Sequence, residues 1–203
     1  MLLDVSMPVT PRTAVYPGDE PFACGWGEAA ADGEPVRVGW ARGSAHVGTH
    51  VDAPWHVDAQ SRRIGELPLD AFVGPCVVVD AVGASELGVE LLRGVDLARA
   101  PRVLFRTQAR SDPTRFLDAF PTLTPAACEA LARADVRLVG VDAPSVDAIG
   151  DALPVHRALA RAGIVNLENL VLDLVAPGAY ELLAAPVHWP KMDAAPVRAL
   201  LRR

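Results

Sequence analysis

Residues 44–56, with the sequence SAHVGTHVDAPWH, constrain the fold more than any other part of the chain. Four residues of metal-ligand type stand there at even positions: His46, His50, Asp52 and His56. An extended backbone would turn all four side chains to one side, while the β-branched residues at the odd positions would face a core. Imidazole and carboxylate are the ligands that Zn²⁺ and similar cations prefer. The spacing therefore predicts a strand that presents a ligating or catalytic cluster.

A helix does not fit this stretch. His50 and Asp52 would point to opposite sides of a helix, and Gly48 and Pro54 would weaken or break it. A straight strand is also insufficient, because it would hold the Cα atoms of His46 and His50 roughly 13 Å apart. We therefore predict a strand that bends at Gly48, the residue that bends at least cost, and that stops at Pro54. The alternative for any single histidine is a surface position or a packed core position.

The rest of the chain alternates between strand and helix patterns. Dense apolar runs predict strands at 73–80, 102–107, 136–141 and 164–172, a half-buried strand is predicted around Trp40, and helices are predicted at 126–133 and 154–162. This alternation favours an α/β fold. Two more ligand-type residues lie in the second half: His156 near a helix start, and Glu168 inside an apolar run, where burial is costly unless the carboxylate is paired or bound to a metal. His188 is interpreted as structural, and the role of the loop at 142–147 is left open.

Length and charge narrow the class of protein. A chain of 203 residues predicts a single domain spanning 1–203. The net charge of −6 argues against nucleic acid or an anionic membrane as a partner. No apolar run approaches the roughly 20 residues of a membrane span, and the first residues do not resemble a signal peptide. Three widely spaced cysteines predict reduced thiols and a cytoplasmic location.

The number of ligand-type residues favours a pair of metal ions. The candidates exceed what one tetrahedral zinc needs, because a catalytic zinc usually takes three protein ligands. Asp52 is the sensible bridging carboxylate, a shared water would become a nucleophile near neutral pH, and one histidine would remain for proton transfer. Ligand type allows Zn²⁺ without excluding Mn²⁺ or Co²⁺. The sequence contains no G-x-S-x-G, H-E-x-x-H or nucleotide-binding glycine motif.

The segment from His46 to His56 resembles the H-x-G-T-H-x-D-x-P-x-H motif of the metal-dependent cyclase family. Within that family the chain is most similar to the bacterial kynurenine formamidases, also called arylformamidases. The similarity runs nearly end to end and includes the stretches at 16–19, 140–147, 156–170 and 196–200. The motif is specific for the family and less specific for the substrate.

This resemblance implies a swivelling β/β/α-type fold with a mixed sheet, a homodimer and two zinc ions per subunit. It implies metal ligands as follows: His46, His50 and Asp52 for the first ion, and Asp52, His156 and Glu168 for the second. His56 would be the proton acceptor and donor. Tyr16 stands where the family typically has a tryptophan that contacts the substrate, and Trp55 is a second candidate for an aromatic wall. The implied reaction is hydrolysis of N-formyl-L-kynurenine to L-kynurenine and formate, a step of tryptophan degradation.

Two other functions stay open. The first is a related hydrolase of the same family that acts on a cyclic amide such as isatin. This alternative stays open because Tyr16 stands where the family typically has a tryptophan. A metal-binding protein without turnover is the other, although the presence of both His56 and Glu168 argues against it.

Overall fold

The computed structural model describes residues 1–27, 36–107, 112–150 and 152–203. The strands are β1 (Leu2–Asp4), β2 (Ala23–Trp26), β3 (Gly39–Arg42), β4 (His50–Asp52), β5 (Val73–Asp80), β6 (Arg102–Arg106), β7 (Leu138–Val141), β8 (Val165–Glu168), β9 (Gly178–Leu183), β10 (Ala194–Pro196) and β11 (Leu200–Arg202). The α-helices are α1 (Pro125–Arg133) and α2 (Pro154–Ala162), and short 3-10 turns connect several strands.

One large mixed sheet organises the described residues. Its strand order is β1-β11-β9-β5-β6-β7-β8-β4-β10, while β2 and β3 form a separate two-stranded ribbon. The strands β5, β6, β7 and β8 run parallel, and the strands on either side of them pair antiparallel. The predicted α/β fold with a mixed sheet is confirmed. The carboxyl ends of the parallel strands meet at one edge, where α/β sheets usually bind ligands.

The sheet is covered on both faces, so its central strands are largely apolar. Strand β6 shows the division, because Leu104 packs into one core cluster while Val103 and Phe105 pack into the other. The cluster that contains Phe105 is closed by the two helices, which contribute Leu131 and Leu159. Burial on both faces explains why β5, β6 and β7 read as dense apolar runs, whereas β8 alternates because Asn166 and Glu168 face the candidate site.

Both helices begin and end where the sequence predicts. The Thr124 side chain accepts a hydrogen bond from the Ala127 amide, and proline follows at the first helical position. Helix α2 ends at Gly163, which has a left-handed φ of 70°. Each helix has nine residues, and no helix in the described ranges is long and apolar enough to cross a membrane.

Three predicted elements differ from the structure. The strand around Trp40 is shifted to β3 and is exposed rather than half-buried, because it pairs only with β2. Strand β8 stops at Glu168, since Asn169 adopts a left-handed φ of 57° that breaks the extended backbone. The pattern at 86–92 also predicts a short helix, and the structure has only the 3-10 turn Val89–Leu92 there.

Candidate metal centre and active site

The floor of the candidate site is the antiparallel pair β4 and β8. In this register His50 lies opposite Glu168, and Asp52 lies opposite Asn166. Alternation along each strand therefore turns all four side chains to the same face. The Nε2 atom of His50 is 3.4 Å from an Asp52 oxygen and 3.6 Å from a Glu168 oxygen. The four residues are buried, so their polar groups meet one another rather than water.

The bend predicted at Gly48 is present. Gly48 has a φ of 65°, and a Cβ atom at this position would lie 2.5 Å from the Val9 side chain. Only glycine fits there, because the left-handed backbone and the close contact both disfavour a side chain. The even-position argument is wrong for His46, which precedes β4 and lies in the bend. The bend nevertheless returns the His46 ring to the floor, where its Nδ1 is 3.0 Å from Asp52 Oδ1.

His156 reaches the floor from the first turn of α2. Asp147, which ends the loop at 142–147, accepts hydrogen bonds from the Val155 and His156 amides and so caps the helix. The same carboxylate lies 2.6 Å from His156 Nδ1. His156 Nε2 is then directed to Asp52 Oδ2 at 3.3 Å and Glu168 Oε1 at 3.2 Å. The function of this loop is therefore to orient His156, which the sequence alone did not indicate.

His56 lies at the rim of the site, in the 3-10 turn Pro54–His56. Its Nδ1 is 3.2 Å from Asp193 Oδ2, and the same oxygen is 3.0 Å from His46 Nε2. The His46 and His56 rings are 4.5 Å apart between centroids. The Ala53 amide donates to the Asp193 carbonyl at 2.8 Å, which anchors the loop that carries this carboxylate. Sequence reasoning missed Asp193.

The carboxylates of the cluster raise the pKa of two of its histidines, His46 and His156. Burial alone would lower the pKa of His46, but Asp52 and Asp193 raise it to about 10. Burial likewise opposes protonation of His156, yet the carboxylates of Asp147, Asp52 and Glu168 raise its pKa well above the usual value. Burial would raise the pKa of Asp52, but the facing histidines bring it well below its usual range. Such a site is suited to exchange its protons for a cation.

The donor atoms fit a divalent metal. His50 Nε2 and Asp52 Oδ1 are buried and form no hydrogen bond within the described residues, which is costly unless another group satisfies them. Two sets of donor atoms lie within 4.8 Å of one another: His46, Asp52 and His56 in one, and His50, Asp52 and Glu168 in the other. Asp52 belongs to both sets, as a bridging carboxylate would. The division of the remaining ligands between two ions stays a prediction.

A cavity of about 570 Å³ opens above this cluster. The six residues proposed for metal binding and proton transfer all line it: His46, His50, Asp52, His56, His156 and Glu168. Tyr16 lies in its wall and meets Phe116 edge to face, with 5.7 Å between ring centroids. Trp55 lies instead under the Arg63 guanidinium and is not part of the lining. Phe116, which the sequence did not single out, is therefore the second aromatic ring of the wall.

The amino-acid sequence is similar to those of known proteins along most of its length. The Cyclase family model, described as "Putative cyclase", matches residues 3–148. A kynurenine formamidase of Salinibacter ruber is 48% identical over 99% of this chain and 97% of its own length. A kynurenine formamidase of Paracidovorax citrulli is 43% identical over 100% of this chain and 96% of its own.

Solved structures show the same fold. One described as a potential metal-dependent hydrolase with cyclase activity is 28% identical, with a TM-score of 0.85 over 99% of this chain and 96% of that chain. Isatin hydrolase A of Labrenzia aggregata is 26% identical, with a TM-score of 0.84 over 99% and 93% of the two chains. With these matches extending along almost its whole length, the chain belongs to the cyclase family.

Proposed function

We propose that this protein is a metal-dependent arylformamidase that hydrolyses N-formyl-L-kynurenine to L-kynurenine and formate, a step of tryptophan degradation. One observation carries the proposal: histidines and carboxylates from distant segments converge at the base of a cavity whose wall holds two aromatic rings. The relatives named kynurenine formamidase, at 39–48% identity over almost the whole chain, support the same substrate.

The proposed ligands are those of two zinc ions. His46, His50 and Asp52 would hold the first, and Asp52, His156 and Glu168 would hold the second. Bound there, the ions would polarise the formyl oxygen and lower the pKa of a shared water. Asp52 would keep both ions in one site, because its two oxygens face different histidines. The buried position of Glu168 and His156 excludes bulk water from this half of the site.

His56 is the proposed proton acceptor and donor. Asp193, whose pKa is held well below its usual range mainly by hydrogen bonds from His46 and His56, accepts a hydrogen bond from His56 Nδ1. The other ring nitrogen, Nε2, is then free to take a proton from the attacking water and to return it to the departing aryl amine. Tyr16 and Phe116 provide the flat apolar surface that an aryl ring needs.

Hydrolysis of N-formyl-L-kynurenine by the purified, zinc-loaded protein tests the proposal. Formate release is expected, and it should stop on chelation and return when zinc is restored. Isatin is assayed beside it, because solved isatin hydrolases share the fold. Faster turnover of isatin than of N-formyl-L-kynurenine would make isatin the assigned substrate. A metal-loaded protein that hydrolyses neither compound would contradict the proposal.

The aromatic wall leads to a prediction about substrate affinity. Phe116→Ala and Tyr16→Ala are each expected to raise the KM for N-formyl-L-kynurenine about three- to tenfold with a smaller change in kcat, since an aromatic contact contributes about 0.5–1.5 kcal/mol. Steady-state kinetics measure this effect. Trp189→Ala, at an aromatic residue outside the cavity lining, is the control. An unchanged KM in both wall variants would place the aryl ring elsewhere.

A second prediction concerns Asp193. Asp193→Asn is expected to lower kcat roughly 10- to 100-fold with little change in KM, because an amide no longer fixes the His56 tautomer. The loss should be larger for formanilides with poor leaving groups than for para-nitroformanilide, whose amine departs without protonation. Metal content is measured in parallel. An equal loss for every substrate would mean that Asp193 only supports the structure.

We further propose that residues 1–203 form one domain that acts in the cytoplasm as a homodimer. The three cysteines are unpaired, which suits a reducing compartment. The β2–β3 ribbon exposes Trp26 and Trp40, at 67% and 48%, an apolar area that a second copy of the chain would cover.

The dimer is tested at the ribbon. A double substitution, Trp26→Asp with Trp40→Asp, is expected to shift the protein from dimer to monomer, as measured by light scattering after size exclusion. Leu174→Asp, at a fully exposed residue away from the ribbon, should leave the dimer intact. A monomeric wild type, or a dimeric double variant, would contradict the proposed interface.

A further inference from the structure

Asn166 lies inside the cluster of proposed ligands. It stands on β8 opposite Asp52 and two residues before Glu168, so its side chain faces the same site. Its Nδ2 atom is 2.7 Å from Glu168 Oε1, 3.1 Å from Asp52 Oδ2 and 3.1 Å from His156 Nε2. The residue is buried and does not line the cavity, so it closes the site from below.

The amide and its three neighbours have the dimensions of a metal site. His156 Nε2 lies 3.3 Å from Asp52 Oδ2 and 3.2 Å from Glu168 Oε1, and the Asn166 amide lies within 3.1 Å of each of these three atoms. A tetrahedral zinc with bonds of about 2.0 Å separates its ligand atoms by about 3.3 Å. The measured separations of 2.7–3.3 Å therefore leave space for an ion of that size at the centre.

The orientation of the amide supplies a second observation. An amide NH₂ has only two hydrogens for three facing acceptors, and the Asn166 Oδ1 atom is buried with no hydrogen bond to the described residues. Rotation by 180° about the last side-chain bond exchanges the oxygen and the nitrogen with no change in shape. A cation at the centre would favour the oxygen, because the NH₂ group carries positive partial charge.

We propose that Asn166 is a fourth protein ligand, through Oδ1, of the cation bound by Asp52, His156 and Glu168. The inference rests on the proposed function for the presence of that ion and adds a ligand to it. With four protein ligands, this ion would bind the shared water only as a fifth ligand, whereas the ion at His46 and His50, with three protein ligands, would keep an open position toward the cavity. Three oxygens and one nitrogen also make the Asn166 site the harder of the two, so it accepts Mn²⁺ more readily.

Metal binding by the full-length Asn166→Leu protein tests this assignment. Leucine keeps the volume and removes both polar atoms. Wild type is expected to bind two equivalents of Zn²⁺, and the variant is expected to bind the second at least about 100-fold more weakly, because loss of outer partners alone costs 10- to 100-fold. Titration calorimetry against a competing chelator and elemental analysis after dialysis give the affinities and the stoichiometry. Circular dichroism confirms that the variant is folded.

Asn166→Asp is the matched conservative variant. The aspartate side chain would keep an oxygen at the same position, so the Asn166→Asp protein should bind two equivalents of Zn²⁺. It should bind the second equivalent more tightly than the wild type does. The assignment would be overturned if the Asn166→Leu protein bound two equivalents of Zn²⁺ at wild-type affinity. Weaker binding of the second Zn²⁺ by the Asn166→Asp protein would also overturn it. Formate release measured on the same samples separates the two proposals. A wild-type protein that binds two Zn²⁺ ions without hydrolysing the substrate would contradict the proposed activity, but it would not contradict Asn166 as a ligand.

Discussion

His56→Ala is expected to lower kcat for N-formyl-L-kynurenine by roughly 100- to 10,000-fold, the usual contribution of a positioned general acid and base. The departing group is an aryl amine, which leaves poorly unless it is protonated. His56 is the residue proposed for that transfer, because Asp193 lies against its Nδ1 and its ring lines the cavity. Steady-state kinetics should show a small change in KM, since the aryl ring is bound by other residues.

The control for this variant is His188→Ala. His188 is exposed and lies outside the cavity lining, so its loss should leave kcat unchanged. Elemental analysis of the His56→Ala protein should still show the wild-type metal content. A variant that retains its metals and turns over within a few fold of wild type would remove His56 from the mechanism.

Asp52→Asn is expected to have the largest effect on metal binding. The carboxylate lies between three histidines, with Oδ1 facing His46 and His50 and Oδ2 facing His156. An amide has the same shape but lacks the negative charge that would hold the two proposed cations in one site. We expect retention of at most one equivalent of metal and a loss of kcat/KM of roughly 1,000-fold or more, since bound ions contribute several kcal/mol.

Asp58→Asn provides the matched control for Asp52→Asn. Asp58 follows the same motif but is exposed and bonds only to its own turn, through Gln60 and Ser61. Metal content and kinetics of this variant should equal those of wild type. Two equivalents of metal in Asp52→Asn would exclude a bridging role for this carboxylate.

Local sequence rules predicted the elements that local interactions determine. The bend at Gly48, the start of α1 at Thr124 and the end of α2 at Gly163 each depend on a preference of one or two residues. The candidate ligands could also be found, because burial of Glu168 in an apolar run needs a compensating partner. Their common location follows from the β4–β8 pairing, which the spacing of residues along the chain does not specify.

The supporting residues could not be found in this way. Asp193 lies far along the chain from His56, and Asp147 lies in a loop several residues before α2. Asn166 and Phe116 are of residue types that serve many structural roles, and neither lies in the His46–His56 motif. Each acquires its role only through tertiary contacts between distant segments, so position in the sequence gives no signal of it.

The position of β4 in the sheet determines how late in translation the proposed site can form. The two strands that flank it, β8 and β10, are both made later than the histidine motif itself. A nascent chain therefore carries His46 to His56 out of the ribosome before either strand that pairs with β4 has been made. The proposed ion pocket can therefore assemble only late in translation, after β8 and β10 have been made.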